Sequence, residues 1–176
     1  MAQNGLWLIA ERGIHGMSIA DVLERSGAPR GSVYYHFPGG KDELVLAAME
    51  YMATEARAPL HAMKGRDVAG VITGFVSLWR GVLKKSDYAA GCASAGVATS
   101  AGTDELRAAA WKVFETWVSD LTGLFEDAGM ESAKAKDLAW MLFASTEGAV
   151  IFARTERSMR ALDLVEGQLL ALAAAD

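Results

Sequence analysis

Residues 18–44, SIADVLERSGAPRGSVYYHFPGGKDEL, leave the chain little choice of local structure. Ser18 precedes Asp21 by three residues, so its hydroxyl can accept the Asp21 N–H while the Asp21 carboxylate reaches back to Ser18. This capping box predicts a helix start. Ile19, Val22, Leu23 and Ser26 then recur at 3–4 spacing, which gives the helix one core-facing stripe. Gly27 can take φ > 0 without steric cost and ends it. Pro29 is expected at the first position of a second helix, where its fixed φ fits and its missing N–H costs nothing. Val33 and Phe37, four apart, anchor that second helix to the first. Arg30, Gly31, Ser32, Tyr34, Tyr35 and His36 are left to face outward. Two short helices about a Gly turn, the second with a polar outer face, describe a DNA-reading unit. The spacing alone also fits a helical hairpin with surface tyrosines.

Beyond this stretch the pattern stays helical. The chain is 52% hydrophobic with three prolines, and it has neither period-2 runs nor Asn-Gly hairpin turns, so the expected fold class is all-α. Residues 41–62 read as one helix starting near Gly40, and 67–86 as another. The run 91–96 reads as a bend with a short helical segment. Long helices are expected from Thr103 to about Ala128, from Glu131 or Ser132 to about Arg157, and from Arg160 to Ala175.

The run Gly27 to Ser32 and the run Phe37 to Lys41 (Phe-Pro-Gly-Gly-Lys), following Tyr34-Tyr35-His36, resemble the helix-turn-helix of the TetR family of transcriptional regulators, in particular its LmrA/YxaF-like subgroup. Leu23 departs from the family pattern, which commonly has a small Ala there. The first helix is expected over Ala2 to Arg12, without the basic arm that many members carry before it. The resemblance implies a three-helix DNA-binding domain over residues 1–46 and a helical-bundle domain over 47–176 for ligand binding and dimerisation. Arg30 has the fork geometry to pair with guanine, and Tyr34, Tyr35 and His36 can reach phosphates or thymine methyls. Gly31 and Ser32 lie on the same reading helix. Ser18 and Lys41, at helix N-termini, are placed to hold phosphate.

The net charge of −5 argues against broad nucleic-acid affinity. Residues 1–48 hold four Lys/Arg against five Asp/Glu, so the reading half is not basic either. Phosphate contact needs a few placed donors rather than a basic chain, and each subunit is expected to bind modestly and to depend on its partner. Across Leu138 to Phe152 apolar residues occupy every side of the predicted helix, which needs cover all round. A second subunit can supply it; a single central core helix is the alternative. The resemblance implies dimerisation through the last two helices as a four-helix bundle. Residues 138–172 are therefore the expected interface, with Leu138, Leu142, Ser145, Gly148 and Phe152 within it.

Phe75, Trp79, Trp111, Phe114, Trp117 and Phe143 lie on the long helices. Core packing accounts for each singly; together they suit a drug-sized apolar pocket, and the resemblance implies that its occupancy alters the separation of the reading heads. Glu147, the acid inside the apolar run, is placed either to pair across the interface or to anchor a polar group in the pocket. Catalysis finds no support. His15, His36 and His61 lack metal-ligand spacing, and neither a phosphate loop nor a nucleophile elbow is present. No cofactor is expected. Cys92 excludes an internal disulfide and reads as a small buried side chain or, less simply, a thiol switch. Leu138 to Ala153 is too short and interrupted to span a bilayer, and no signal peptide opens the chain. The expected function is that of a ligand-responsive cytoplasmic regulator, most simply a repressor, binding a palindromic double-stranded operator as a homodimer and answering a small apolar effector. The alternative is a helical small-molecule binding protein that has lost DNA contact.

Overall fold

A computed structural model describes residues 1–174, and among these the fold is all-α. In chain order the helices are α1 (Ala2–Arg12), α2 (Ile19–Ser26), α3 (Arg30–His36), α4 (Lys41–Ala53), α5 (Ala58–His61), α6 (Val68–Lys85), α7 (Ala93–Ser100), α8 (Asp104–Asp127), α9 (Ser132–Glu156) and α10 (Arg160–Ala174), with a 3-10 turn at Glu55–Arg57. Ala175, the expected end of the last helix, lies outside the described residues.

The caps show why the helices begin where they do. Asp67 accepts the Gly70 N–H at 2.8 Å and starts α6. Glu131 accepts the Ala133 and Lys134 N–H groups and starts α9. One expected helix is broken. Residues 41–62 do not run continuously: α4 stops at Ala53, and Thr54 leaves helical geometry with its hydroxyl bonded to the Glu50 carbonyl at 2.8 Å. Pro59 has no N–H to return to the carbonyl four residues back, so a continuous helix would forfeit a bond there. At the first turn of α5 the same proline is tolerated. Pro29 also sits one residue earlier than expected, as the cap of α3 with φ −60° and ψ 143° rather than as its first residue.

The chain divides into two compact units that interleave along the sequence. The first comprises Met1–Ala56 and Cys92–Phe114, the second Arg57–Gly91 and Glu115–Asp176. In the first unit α1 packs on α2, α4 and α7, burying Leu8, Ile9, Met17, Val22, Val33, Leu44, Val45 and Met49. In the second, α6, α9 and α10 pack on one another, around Ile72, Phe75, Val76, Leu83, Leu142, Val150, Leu162 and Leu169. Arg80 on α6 fastens α10 by pairing with Asp163 at 2.5 Å and Glu166 at 2.6 Å. Arg57 and Asp120 form a further pair at 3.0 Å within this unit.

Beyond α6 the loop holds Asp87 and Tyr88 at positive φ (49° and 63°). The far end of α9 grips it: Arg154 donates to the Ala89 carbonyl at 2.7 Å, and Arg157 pairs with Asp87 at 2.6 Å and lies over the Tyr88 ring. These bonds offset the cost of left-handed backbone at two non-glycine residues.

Candidate nucleic-acid interface and a buried aromatic cluster

In the first unit the capping box forms as the sequence requires. The Asp21 N–H donates to the Ser18 hydroxyl, the Ser18 N–H donates to the Asp21 carboxylate at 2.9 Å, and the Ser18 hydroxyl also bonds that carboxylate. The two bonds from Ser18, with the Arg12 guanidinium at 3.2 Å, hold the Asp21 carboxyl below its ordinary pKa. Gly27 ends α2 in the left-handed region at φ 67°, ψ 12°. Its N–H donates to the Leu23 carbonyl at 2.9 Å, and the chain turns directly into α3. Val33 is fully buried and fixes the rotation of α3, leaving Arg30, Gly31, Tyr34, Tyr35 and His36 exposed and Ser32 half-buried. Tyr35 stands out most, at 82% exposure. His36 packs edge-on to Tyr35 with ring centroids 5.1 Å apart, and it borders a groove shared with Phe37, Leu46, Ala47 and Lys112.

Downstream of α3, Gly40 takes φ 73°, and the Glu43 carboxylate accepts the Gly39 N–H at 2.7 Å. Lys41 is thereby fixed as the first residue of α4. The charges of this unit are sorted by pairing. Arg25 meets Glu11 with two bonds, at 2.8 and 3.0 Å, and Arg12 meets Asp21. Both pairs tie α1 to α2. Of the four cations in residues 1–48, Arg30 and Lys41 have no acidic partner among the described residues. Arg30 opens α3 and Lys41 opens α4.

The second unit gathers part of the sequence-predicted aromatic set. Phe75 lies 6.3 Å from Trp117 and 6.1 Å from Phe143, ring centroid to ring centroid. Trp79 is on the same face of α6, one turn on, and is 5% exposed. Glu147 is half-buried on α9. Trp111 and Phe114 fall in the first unit, with Trp111 exposed and Phe114 half-buried. Sequence reasoning missed Thr146, which is fully buried. Its hydroxyl and the Trp79 indole N–H have no hydrogen-bond partner. A buried polar group left unmade costs about 1–3 kcal/mol, so these two beside the aromatic cluster are conspicuous. The available signal was a Thr among the polar interruptions of the apolar run 138–153.

The expected interface residues separate into two faces of α9. Leu138 and Leu142 are buried within their own chain, Ser145 and Gly148 are half-buried, and Phe152 is exposed. Trp140, Met141 and Ile151 share the open side with Phe152, and Leu164 and Leu172 are exposed on α10. The helix is therefore apolar on two faces for two reasons, and only one face is covered.

Residues 5–48 match the family profile for bacterial regulatory proteins of the tetR family. Residues 69–168 match that of the transcriptional regulator LmrA/YxaF-like C-terminal domain. The chain belongs to the TetR family. It is 37% identical to the HTH-type transcriptional regulator Rv0196 of Mycobacterium tuberculosis over 96% of this chain and 90% of that one. Against the HTH-type transcriptional regulator LmrA of Bacillus subtilis the identity is 26%, over 84% of this chain and 80% of that one. Its fold is similar to a TetR transcriptional regulator from Legionella pneumophila, with a TM-score of 0.83 at 20% identity, over 97% and 94% of the two chains. As a TetR-family protein it is a DNA-binding transcriptional regulator of the helix-turn-helix type. Among the described residues no helix is long and apolar enough to cross a membrane.

Proposed function

We propose that this TetR-family chain is a ligand-responsive repressor that binds a near-palindromic operator as a homodimer and is released by a small apolar or aromatic effector. Residues 1–46 read DNA, and residues 47–176 bind the effector and dimerise. The observation that carries this reading is the outer face of α3, where Arg30, Tyr34 and Tyr35 stand exposed on a helix whose rotation Val33 fixes. A helix so presented inserts into the major groove, with Arg30 toward a guanine edge, and Ser18 and Lys41 hold the flanking phosphates. Gly31, Ser32 and His36 complete the surface that meets DNA.

Two copies are needed, because one seven-residue helix in a chain of net charge −5 offers few contacts. The open apolar side of α9 and α10 supports pairing about a two-fold axis, which would set two reading helices one turn of DNA apart, roughly 34 Å. The buried aromatics Phe75, Trp79, Trp117 and Phe143 support an effector site in the second unit. An effector can displace DNA only through unequal affinity for the DNA-competent and incompetent forms. The protein acts in the cytoplasm, where such an operator is found.

The test is a gel shift against the DNA upstream of its own gene, followed by titration of apolar aromatic compounds into the complex. Release of DNA supports an inducer, whereas tightening makes the compound a co-repressor. Absence of any shifted band would instead favour a helical small-molecule binding protein without DNA contact.

A further inference from the structure

Four threonines on the helices or at their ends bond back to the carbonyl four residues earlier: Thr54, Thr99, Thr122 and Thr155, at 2.8 to 3.0 Å. That bond is available to nearly any helical threonine. Thr146 on α9, completely buried, does not make it, and its hydroxyl has no partner. The Trp79 N–H on α6 is in the same condition.

The two groups lie in register. The Phe75 and Phe143 rings meet across α6 and α9 at 6.1 Å, and about a dozen residues on from each, just past the ends of the two helices, Asp87 pairs with Arg157. The helices therefore run in the same direction. Trp79 is four residues beyond Phe75 and Thr146 three beyond Phe143, so each sits one turn on from the ring contact, on the same side of it. Two hydrogen-bonding groups thus lie beyond one aromatic floor with nothing to bond.

We infer that Trp79 and Thr146 together read a single oxygen atom of the effector, so that the effector is an apolar ring compound carrying a hydrogen-bond-accepting carbonyl or hydroxyl oxygen. The indole N–H can only donate, and the threonine hydroxyl can donate or accept. A carbonyl oxygen has two lone pairs and satisfies both donors at once. A ligand hydroxyl accepts from Trp79 and donates to Thr146. A pure hydrocarbon leaves both groups orphaned, and a carboxylate would carry a full charge out of water. This inference rests on the effector reading given above and adds to it the chemistry of the ligand.

The test compares two probes of the same shape, 2-acetonaphthone and 2-isopropenylnaphthalene, which differ by oxygen in place of CH2. Binding to the full chain is measured calorimetrically for wild type, Trp79→Phe and Thr146→Val. The wild type should bind the ketone at least tenfold more tightly than the hydrocarbon. Each substitution should reduce that ratio to below threefold. Without ligand, Thr146→Val should melt no lower than wild type, since it removes a polar group buried without a partner at nearly unchanged volume. Trp79→Phe also loses ring packing and is read by the binding ratio alone. Equal affinity of the two probes for wild type would overturn this inference while leaving the effector site standing. So would a preference that survives both substitutions, or a Thr146→Val variant that melts several degrees lower, which would mark that hydroxyl as structural. Failure of both probes to bind would overturn the effector site and this inference with it.

Discussion

The open side of α9 and α10 makes a quantitative demand on the proposed dimer. Phe152 is 61% exposed; with roughly 200 Å² on a phenylalanine side chain, about 120 Å² awaits cover. At ~25 cal/mol per Å² this is about 3 kcal/mol for each copy. In a two-fold interface the residue counts twice, so Phe152→Ser should weaken association by up to about 6 kcal/mol, or about half that once incomplete burial is allowed for. The dimer dissociation constant should rise by roughly 10² to 10⁴-fold. Sedimentation velocity over a dilution series reads this directly as a shift from about twice 18.7 kDa toward the 18.7 kDa chain. Because the side chain is exposed in the single chain, the variant should keep its helical content. Tyr35→Ser removes an even more exposed ring from α3 and should leave the dimer constant unchanged. If Phe152→Ser dimerises within threefold of wild type, or if wild type is already monomeric at micromolar concentration, the assignment of this face is wrong.

Arg30→Ala should weaken binding to a selected operator by about 1–3 kcal/mol and relax the preference at one base position, read by competition with single-base variants. Lys41→Ala should weaken all sequences alike and flatten the dependence of log affinity on log salt by about one unit, since it removes one phosphate contact. Ser18→Ala should cost about 1 kcal/mol in thermal unfolding through loss of the α2 cap. It should also raise the Asp21 pKa, measurable by carboxyl NMR titration. Because the folded value of Asp21 is depressed, its contribution to stability is present above the unfolded carboxylate pKa and is lost as pH falls through the lower folded value; in Ser18→Ala that contribution should be smaller and its loss complete at a higher pH.

The sequence was most legible where a side chain must satisfy the backbone beside it. Ser18 and Asp21, Gly27, Asp67 and Glu131 mark helix ends because orphan N–H groups or a left-handed turn leave few alternatives. It was less legible where the deciding partner is distant. The break at Thr54 is hard to see because good helix formers continue through it, and Pro59 comes only five positions on. In the run 138–152 nearly every position is apolar, so periodicity could not separate Leu138 and Leu142, which face inward, from Trp140, Met141, Ile151 and Phe152, which do not. Trp111 and Trp117 look equivalent in sequence, yet they fall in different units because the boundary cuts through α8 between Phe114 and Glu115. Thr146 reads as a polar interruption until its missing back-bond is seen.

The interleaving of the two units has a consequence for exchanging reading heads between relatives. The chain leaves one unit for the other after Ala56, Gly91 and Phe114, so the half that holds α3 is not a cassette with a single seam. A graft joined near residue 46 would set a donor α1 against the host's α7, where Gly96 comes within 3.9 Å of the Ile9 carbonyl, counted from the Cβ it lacks. Successful transplants should therefore carry residues 92–114 along with the N-terminal segment, and lineages that trade operators should change those two stretches in concert.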